Sequence, residues 1–194
     1  MRYLAIFLLL LPTLLFAQTR DSVFIKSKIY EIVYSEVLEQ PKYVKYKVLC
    51  TEGKESRAGL DFYTEPKIHT SSNEDYANNE YDKGHMAPAA DFNCSKEYLK
   101  LTFSYLNCAL QEQHLNRGVW KELERREREL AKTDEVTVVI IVLFDKKSVK
   151  LSTKATIPTG FYKIIQLKKA KLTYRYYFPN RRPELKSIED YRIK

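Results

Sequence analysis

The order of elements, strands first, then helices, then strands again, predicts an α+β domain with a largely antiparallel sheet. Two observations near the ends and one in the middle carry this. Residues 29–34 and 43–50 are β-rich runs joined by a polar turn, and the second alternates, with Val44, Tyr46 and Val48 on one face against Lys45 and Lys47. Residues 117–131 form an amphipathic, heavily charged helix whose apolar side holds Val119, Trp120, Leu123 and Leu130. Residues 136–144, 157–167 and 172–178 are three further strand-like runs.

Taken in order, the chain opens with Arg2, an apolar run over residues 4–16 and then Ala17-Gln18. That is the pattern of a secretory signal, and it is too short for a membrane span. Cleavage after Ala17 is expected, leaving residues 18–194 as a single soluble domain that is secreted or periplasmic and has no stable membrane anchor. The formal charge is +8, of which Arg2 supplies one, so the processed chain carries +7. A basic exported domain suits a polyanionic partner, because surface lysine and arginine supply the phosphate component of nucleic-acid binding.

Cys50, Cys94 and Cys108 enter an oxidising compartment in odd number, so at least one has no partner within the chain. Sequence alone leaves three pairings open. Cys94 and Cys108 are the expected pair, because they bracket a short segment whose closure contributes on the order of 3 kcal/mol.

Residues 39–42, Glu39-Gln40-Pro41-Lys42, read as the turn of the first hairpin. Residues 51–80 are polar, with Gly53, Gly59 and Pro66, and read as a long surface loop that contains Arg57. Residues 97–107 are expected to be helical. Asn116 stands where the N-cap of the helix over 117–131 belongs. Residues 136–144 are nearly unbroken β-formers, which predicts a central strand buried on both faces. The lysine-rich residues 168–171 turn the chain into its last strand.

The chemistry concentrates between Tyr81 and Glu124. His85 follows Lys83, which can neutralise a phosphate, and Gly84, which lets backbone approach closely. A neutral imidazole there can take a proton from water. Taken singly these residues have plainer roles. Asn116 is a helix cap, Glu124 with Arg128 and Glu122 with Arg126 are i,i+4 pairs, and Trp120 is core. His69, His85, His114 and the cysteines show no spacing familiar from zinc sites.

The ordered combination of Asp82-Lys83-Gly84-His85, Leu115-Asn116-Arg117-Gly118-Val119-Trp120 and Leu123-Glu124 resembles the DNA/RNA non-specific endonucleases of the ββα-metal (His-Me finger) superfamily. The likeness runs from about Arg57 to Glu124, and Ile157-Pro158-Thr159-Gly160-Phe161-Tyr162-Lys163 is similar to a strand of that family. It implies the ββα-metal endonuclease fold, DNA and RNA as substrates, and Mg²⁺ as cofactor with Mn²⁺ as a possible substitute. His85 takes the place of the general base. Asn116 takes that of the single direct protein ligand to the ion, and Glu124 that of an acid reaching it through water. Eight residues of helix rise about 12 Å, too far for both to ligate one ion directly. Asn107 matches an asparagine that orients substrate or imidazole, and Arg57 an arginine that stabilises the phosphorane-like transition state. Lys83 departs from the usual arginine and loses the bidentate fork, while Leu106 and Leu110 replace the usual serine and proline. The alternative from another class is a catalytically degenerate nuclease fold that binds nucleic acid or a protein partner.

Overall fold

The computed structural model describes residues 19–193, so the expected signal segment lies outside the described residues. Strands β1 (Val23–Lys26), β2 (Tyr30–Ser35), β3 (Gln40–Lys47), β6 (Val136–Leu143), β7 (Gly160–Leu167) and β8 (Leu172–Pro179) form one sheet in the order β1-β2-β3-β6-β7-β8. Every pairing in it is antiparallel. A separate hairpin joins β4 (Tyr81–His85) to β5 (Cys108–Glu112), and the helical segments α2 (Gln113–Leu115) and α3 (Lys121–Ala131) follow it directly. The α+β class with an antiparallel central sheet is as expected. Among the described residues, no helix is long and apolar enough to cross a membrane.

Local chemistry explains where the elements depart from expectation. The first turn is 36–39, closed by Glu39 at φ 54°, and Gln40 and Pro41 already belong to β3. Proline is tolerated there because the ladder shifts register between Val33 and Tyr34. Strand β6 lies in mid-sheet but is buried on one face only: Val136, Val138, Ile140 and Val142 point inward, whereas Ile141 is exposed. The expected helix 97–107 stops early, at α1 (Lys96–Leu101), where the Thr102 hydroxyl donates to the Leu99 carbonyl at 2.7 Å. The helix over 117–131 begins only at Lys121, because Gly118 at φ −102° and ψ −116° breaks the wide turn Asn116–Trp120.

The main core fills the space between the inner sheet face and α3. Ile32, Val44, Val138, Ile140, Phe161 and Phe178 meet Leu115, Trp120 and Leu123 there, as expected for the tryptophan. A smaller cluster of Ala89, Leu99 and Phe103 lies under Leu60, Phe62 and Tyr63. Two charged residues sit in the main core: Lys163 and Glu127, both fully buried, with Nζ 2.7 Å from Oε1.

The disulfide is Cys50–Cys94, not the expected Cys94–Cys108. Cys108 opens β5 with its side chain turned into the interior, where it contacts the Tyr76 hydroxyl at 3.2 Å. Cys50 leaves β3 beside Cys94 with 5.6 Å between Cα atoms. This bridge closes a loop spanning 44 positions, which corresponds to about 4 kcal/mol in the chain-entropy picture. Denaturant unfolding of Cys94→Ser is therefore expected to show a loss of that order, whereas Cys108→Ser should leave the disulfide intact and one fewer thiol to titrate.

Candidate active site

Strand β4 places Lys83 and His85 at the mouth of a cleft of about 610 Å³. Gly84 lets the facing strand approach closely: a Cβ there would lie 2.6 Å from the Gln111 Cβ and 3.2 Å from the Ala109 carbonyl oxygen across the hairpin. The His85 ring sits 4.9 Å from the Phe62 ring and 5.1 Å from that of Phe103. Its Nε2 is buried with no hydrogen-bond partner among the described residues, although the residue as a whole is only partly buried. Burial first, and the Arg57 charge second, bring its pKa down to about 3. The imidazole is thus neutral at neutral pH and available as a proton acceptor.

Asn107 acts from beneath the cleft, beside His85. It is fully buried and does not line the cleft. Its Oδ1 accepts from the Ala87 amide at 2.8 Å, and its Nδ2 donates to the carbonyls of Ala87 at 2.8 Å and Thr102 at 3.0 Å. The backbone just after His85 is thereby clamped, with Met86 N donating to Asn107 O at 2.9 Å. Of the two roles expected for Asn107, orienting substrate or imidazole, this placement supports the second, through the backbone that carries His85.

The opposite wall comes from the segment after β5. Glu112, not Asn116, caps it, accepting from the Leu115 amide at 2.8 Å. Asn116 has helical dihedrals, φ −57° and ψ −47°, and so is not an N-cap. Its Nδ2 donates to Asp82 Oδ2 at 2.9 Å. A carboxylate only accepts, so this contact fixes the amide nitrogen toward Asp82 and turns the Asn116 Oδ1 away. Arg117 holds the same carboxylate with two bonds, at 2.8 and 2.6 Å.

About two turns further along the chain, Glu124 lines the cleft, and Arg128 one turn beyond it. Burial raises the Glu124 pKa to about 7; Lys163 opposes this, and the nearby Glu127 carboxylate reinforces it. Arg128 pairs with the buried Asp91 at 2.9 Å and not with Glu124, while Glu122 pairs with Arg125 and not with Arg126. Beneath them the Tyr46 hydroxyl donates to Glu127 Oε2 at 2.8 Å, and Lys163 Nζ lies 4.3 Å from the centre of the Trp120 ring.

Arg57 reaches the cleft from the long loop, its guanidinium carbon 5.7 Å from the Phe103 ring centre. Lys83 donates to Asn73 Oδ1, which also accepts from the Tyr105 hydroxyl at 2.7 Å. Its ammonium stands 5.4 Å from the Phe62 ring centre and 5.8 Å from that of Tyr105.

The structure thus brings Arg57, Lys83, His85, Asn116 and Glu124 into one cleft and leaves Asn107 beneath it. Sequence reasoning missed Asp82 and Asn73, the partners of Asn116 and Lys83. Asp82 lay inside the motif; Asn73 carried no signal. It also missed Lys163, whose signal was a lysine at an inward position between Phe161 and Ile165. The other histidines are engaged elsewhere: His69 contacts Glu39 at 2.8 Å and His114 contacts Glu112 at 2.6 Å. Among the described residues, no three His, Cys, Asp or Glu side chains are grouped to hold an ion. One amide oxygen and one acid in a cationic cleft suit a hard cation that keeps most of its water.

The profile of the DNA/RNA non-specific endonucleases matches residues 14–194. Mitochondrial endonuclease G of Bos taurus is 33% identical over 133 residues, 61% of this chain and 44% of that protein. Mitochondrial nuclease EXOG of Danio rerio is 31% identical over 153 residues, 70% of this chain and 45% of that protein. The chain therefore spans under half the length of these curated relatives. Among solved structures, EndoG in the EndoG/EndoGI complex superposes with a TM-score of 0.77 at 25% identity, covering 88% of this chain and 80% of that one.

Asn107→Ala leaves three buried backbone groups unpaired and is expected to lower unfolding free energy by about 2 to 4 kcal/mol in urea titrations. His85 supplies a pH signature. Its folded pKa of about 3 lies below the unfolded value, so the unfolded chain takes up a proton that the folded chain refuses. Stability is expected to fall as pH drops from about 6.5 towards 3, and His85→Ala should flatten that part of the profile. An unchanged slope in the variant would remove His85 as its source.

Proposed function

The chain belongs to the DNA/RNA non-specific endonuclease family, and from that membership we propose that it hydrolyses phosphodiester bonds in DNA and RNA with little sequence preference. The observation that carries this reading is the convergence of a neutral histidine, two cations, an oriented asparagine and an acid in one open cleft.

In the proposed reaction a water oxygen attacks phosphorus, its proton passes to the His85 imidazole, and the bond from phosphorus to the 3′ oxygen breaks. The low pKa of His85 keeps the ring unprotonated before the attack. Arg57 and Lys83 hold the phosphate oxygens; Lys83 does so as a point charge steadied by Asn73, Phe62 and Tyr105. Asp82 keeps the Asn116 amide oxygen pointed away from itself. A hard divalent cation, which we take to be Mg²⁺ with Mn²⁺ able to replace it, supplies charge neutralisation at the phosphate when bound by Asn116. Glu124 would help hold such an ion through its water. Because the contacts are to backbone phosphate, affinity weakens with salt.

The leader pattern over residues 4–16 supports export, to the periplasm or beyond the cell. The Cys50–Cys94 disulfide suits such an oxidising compartment. The curated relatives named above are mitochondrial proteins.

Clean protein is expected to nick supercoiled plasmid and degrade RNA with Mg²⁺ and to stop in EDTA. His85→Ala should cut turnover by about 10² to 10⁴-fold while still binding nucleic acid. Equal cleavage with and without EDTA, or full activity in the variant, would refute the mechanism. Salt-sensitive binding without any cleavage would identify a degenerate binding module instead.

A further inference from the structure

The helices and the β4–β5 hairpin pack on one face of the six-stranded sheet. Among the described residues, no helix covers the other face. Its strand registers align a single transverse row. Phe24 faces Val33, Val33 faces Tyr43, Tyr43 faces Ile141, Ile141 faces Tyr162, and Tyr162 faces Tyr177. Phe24 is 63% exposed, Tyr177 40% and Ile141 38%. The three members between them are partly exposed. At the usual strand spacing the row crosses about 24 Å of sheet.

One aromatic member, Tyr177, lies along the sheet. A Cβ on Gly160 would lie 3.0 Å from a Tyr177 ring carbon and 3.3 Å from its hydroxyl, so the glycine lets this ring settle over the strand. Two residues further along each strand runs a second row: Lys26, Glu31, Lys45, Val139, Ile164 and Arg175. Lys47 lies beyond Lys45 and is exposed. Glu31 serves both Lys26 at 3.3 Å and Lys45 at 3.9 Å, and Glu135 serves both Lys47 at 2.7 Å and Lys168 at 3.1 Å. Each carboxylate is thus shared by two ammoniums, and the border of the aromatic row is net positive.

A face meant for a second copy of this chain would bury those cations against their own likeness, which is costly. An aromatic platform bordered by cations has the chemistry of single-stranded nucleic acid, whose unpaired bases stack on flat rings while its phosphates find positive charge. A duplex cannot use the rings, because its bases are already stacked.

We propose that this open face is a second nucleic-acid surface, separate from the cleft, on which bases of an unpaired strand stack against Tyr43, Tyr162 and Tyr177 while Lys45, Lys47 and Arg175 meet its phosphates. It holds long single-stranded substrate beside the molecule and raises the local concentration of strand available to the cleft. Binding here involves no catalytic group and is independent of cleavage.

The experiment uses the full processed chain carrying His85→Ala, in EDTA, with an oligothymidylate containing 5-iodouracil. Photo-crosslinking and peptide mapping are expected to find adducts on Tyr43, Tyr162 or Tyr177. By fluorescence anisotropy, the triple variant Tyr43→Ala/Tyr162→Ala/Tyr177→Ala should bind the same oligonucleotide at least ~10-fold more weakly, with duplex binding unchanged. Because that triple variant alters a sheet face, Lys45→Glu/Lys47→Glu is the second arm: it spares the rings and should weaken oligothymidylate binding and flatten its salt dependence. Adducts confined to cleft residues, with affinity unchanged in both variants, would overturn the proposal. So would a dimer in sedimentation that Ile141→Glu dissociates, since a second copy would then be the occupant of this face.

Discussion

The ion pair between Lys163 and Glu127 is the contact on which the geometry of the cleft depends. Both side chains are fully buried and lie 2.7 Å apart, with the Tyr46 hydroxyl on the second carboxylate oxygen and the Trp120 ring against the ammonium. Neither charge is tolerable in the core without the other, so the pair leaves little freedom in how α3 can lie on the sheet. Once Glu127 is turned inward, the helical repeat sets Glu124 one turn before it and Arg128 beside it, along the edge of the cleft. A buried charge that adds little net stability can in this way still determine where an acid and an arginine are presented.

The hairpin side is held by a different means. β4 is short and polar, and little apolar burial keeps it in place. Its partner β5 is wholly buried, and hydrogen bonds add to that anchor: Gln40 Oε1 accepts the Leu110 amide at 2.9 Å, and Asn107 grips both sides of Ala87. The cleft therefore lies between a wall set by buried charge and a wall set by buried amides. Asp82 joins the two, since it belongs to β4 and holds Asn116 and Arg117 beyond β5. The Asn116 oxygen is turned away from Asp82 because that carboxylate can only accept.

The sheet also divides the molecule electrostatically. In the core on its inner side the buried charges are paired, as with Lys163 and Glu127 or Arg128 and Asp91. Burial and the neighbouring Glu127 push the Asp91 pKa well above the carboxylate range, and Arg128 opposes them. On the outer side lysines outnumber the carboxylates they share. The net positive charge seen in composition is thus not an even coat: part lines the cleft through Arg57 and Lys83, and part borders an aromatic row on the far face.

Sequence by itself determined the class of fold, the main strands, the charged helix and the motif residues of the cleft, because these depend on periodicity and on residue type at fixed spacing. Val44, Tyr46 and Val48 alternate whatever they pack against, and His85 and Asn116 are recognisable by their neighbours. What only the tertiary structure decided depends on partners distant in the chain. The choice of Cys50 for Cys94 follows from the end of β3 meeting the segment after Asp91, and the interior position of Cys108 follows from its register opposite His85. The motif leaves open whether Asn107 orients substrate or imidazole, and its three hydrogen bonds close on backbone from Ala87 and Thr102, next to His85. Asn116 looked like a cap because a helix follows it, until Gly118 broke that helix and Asp82, from another strand, claimed its side chain. Local patterns name the candidates; which atoms meet depends on how strands far apart in sequence are brought side by side.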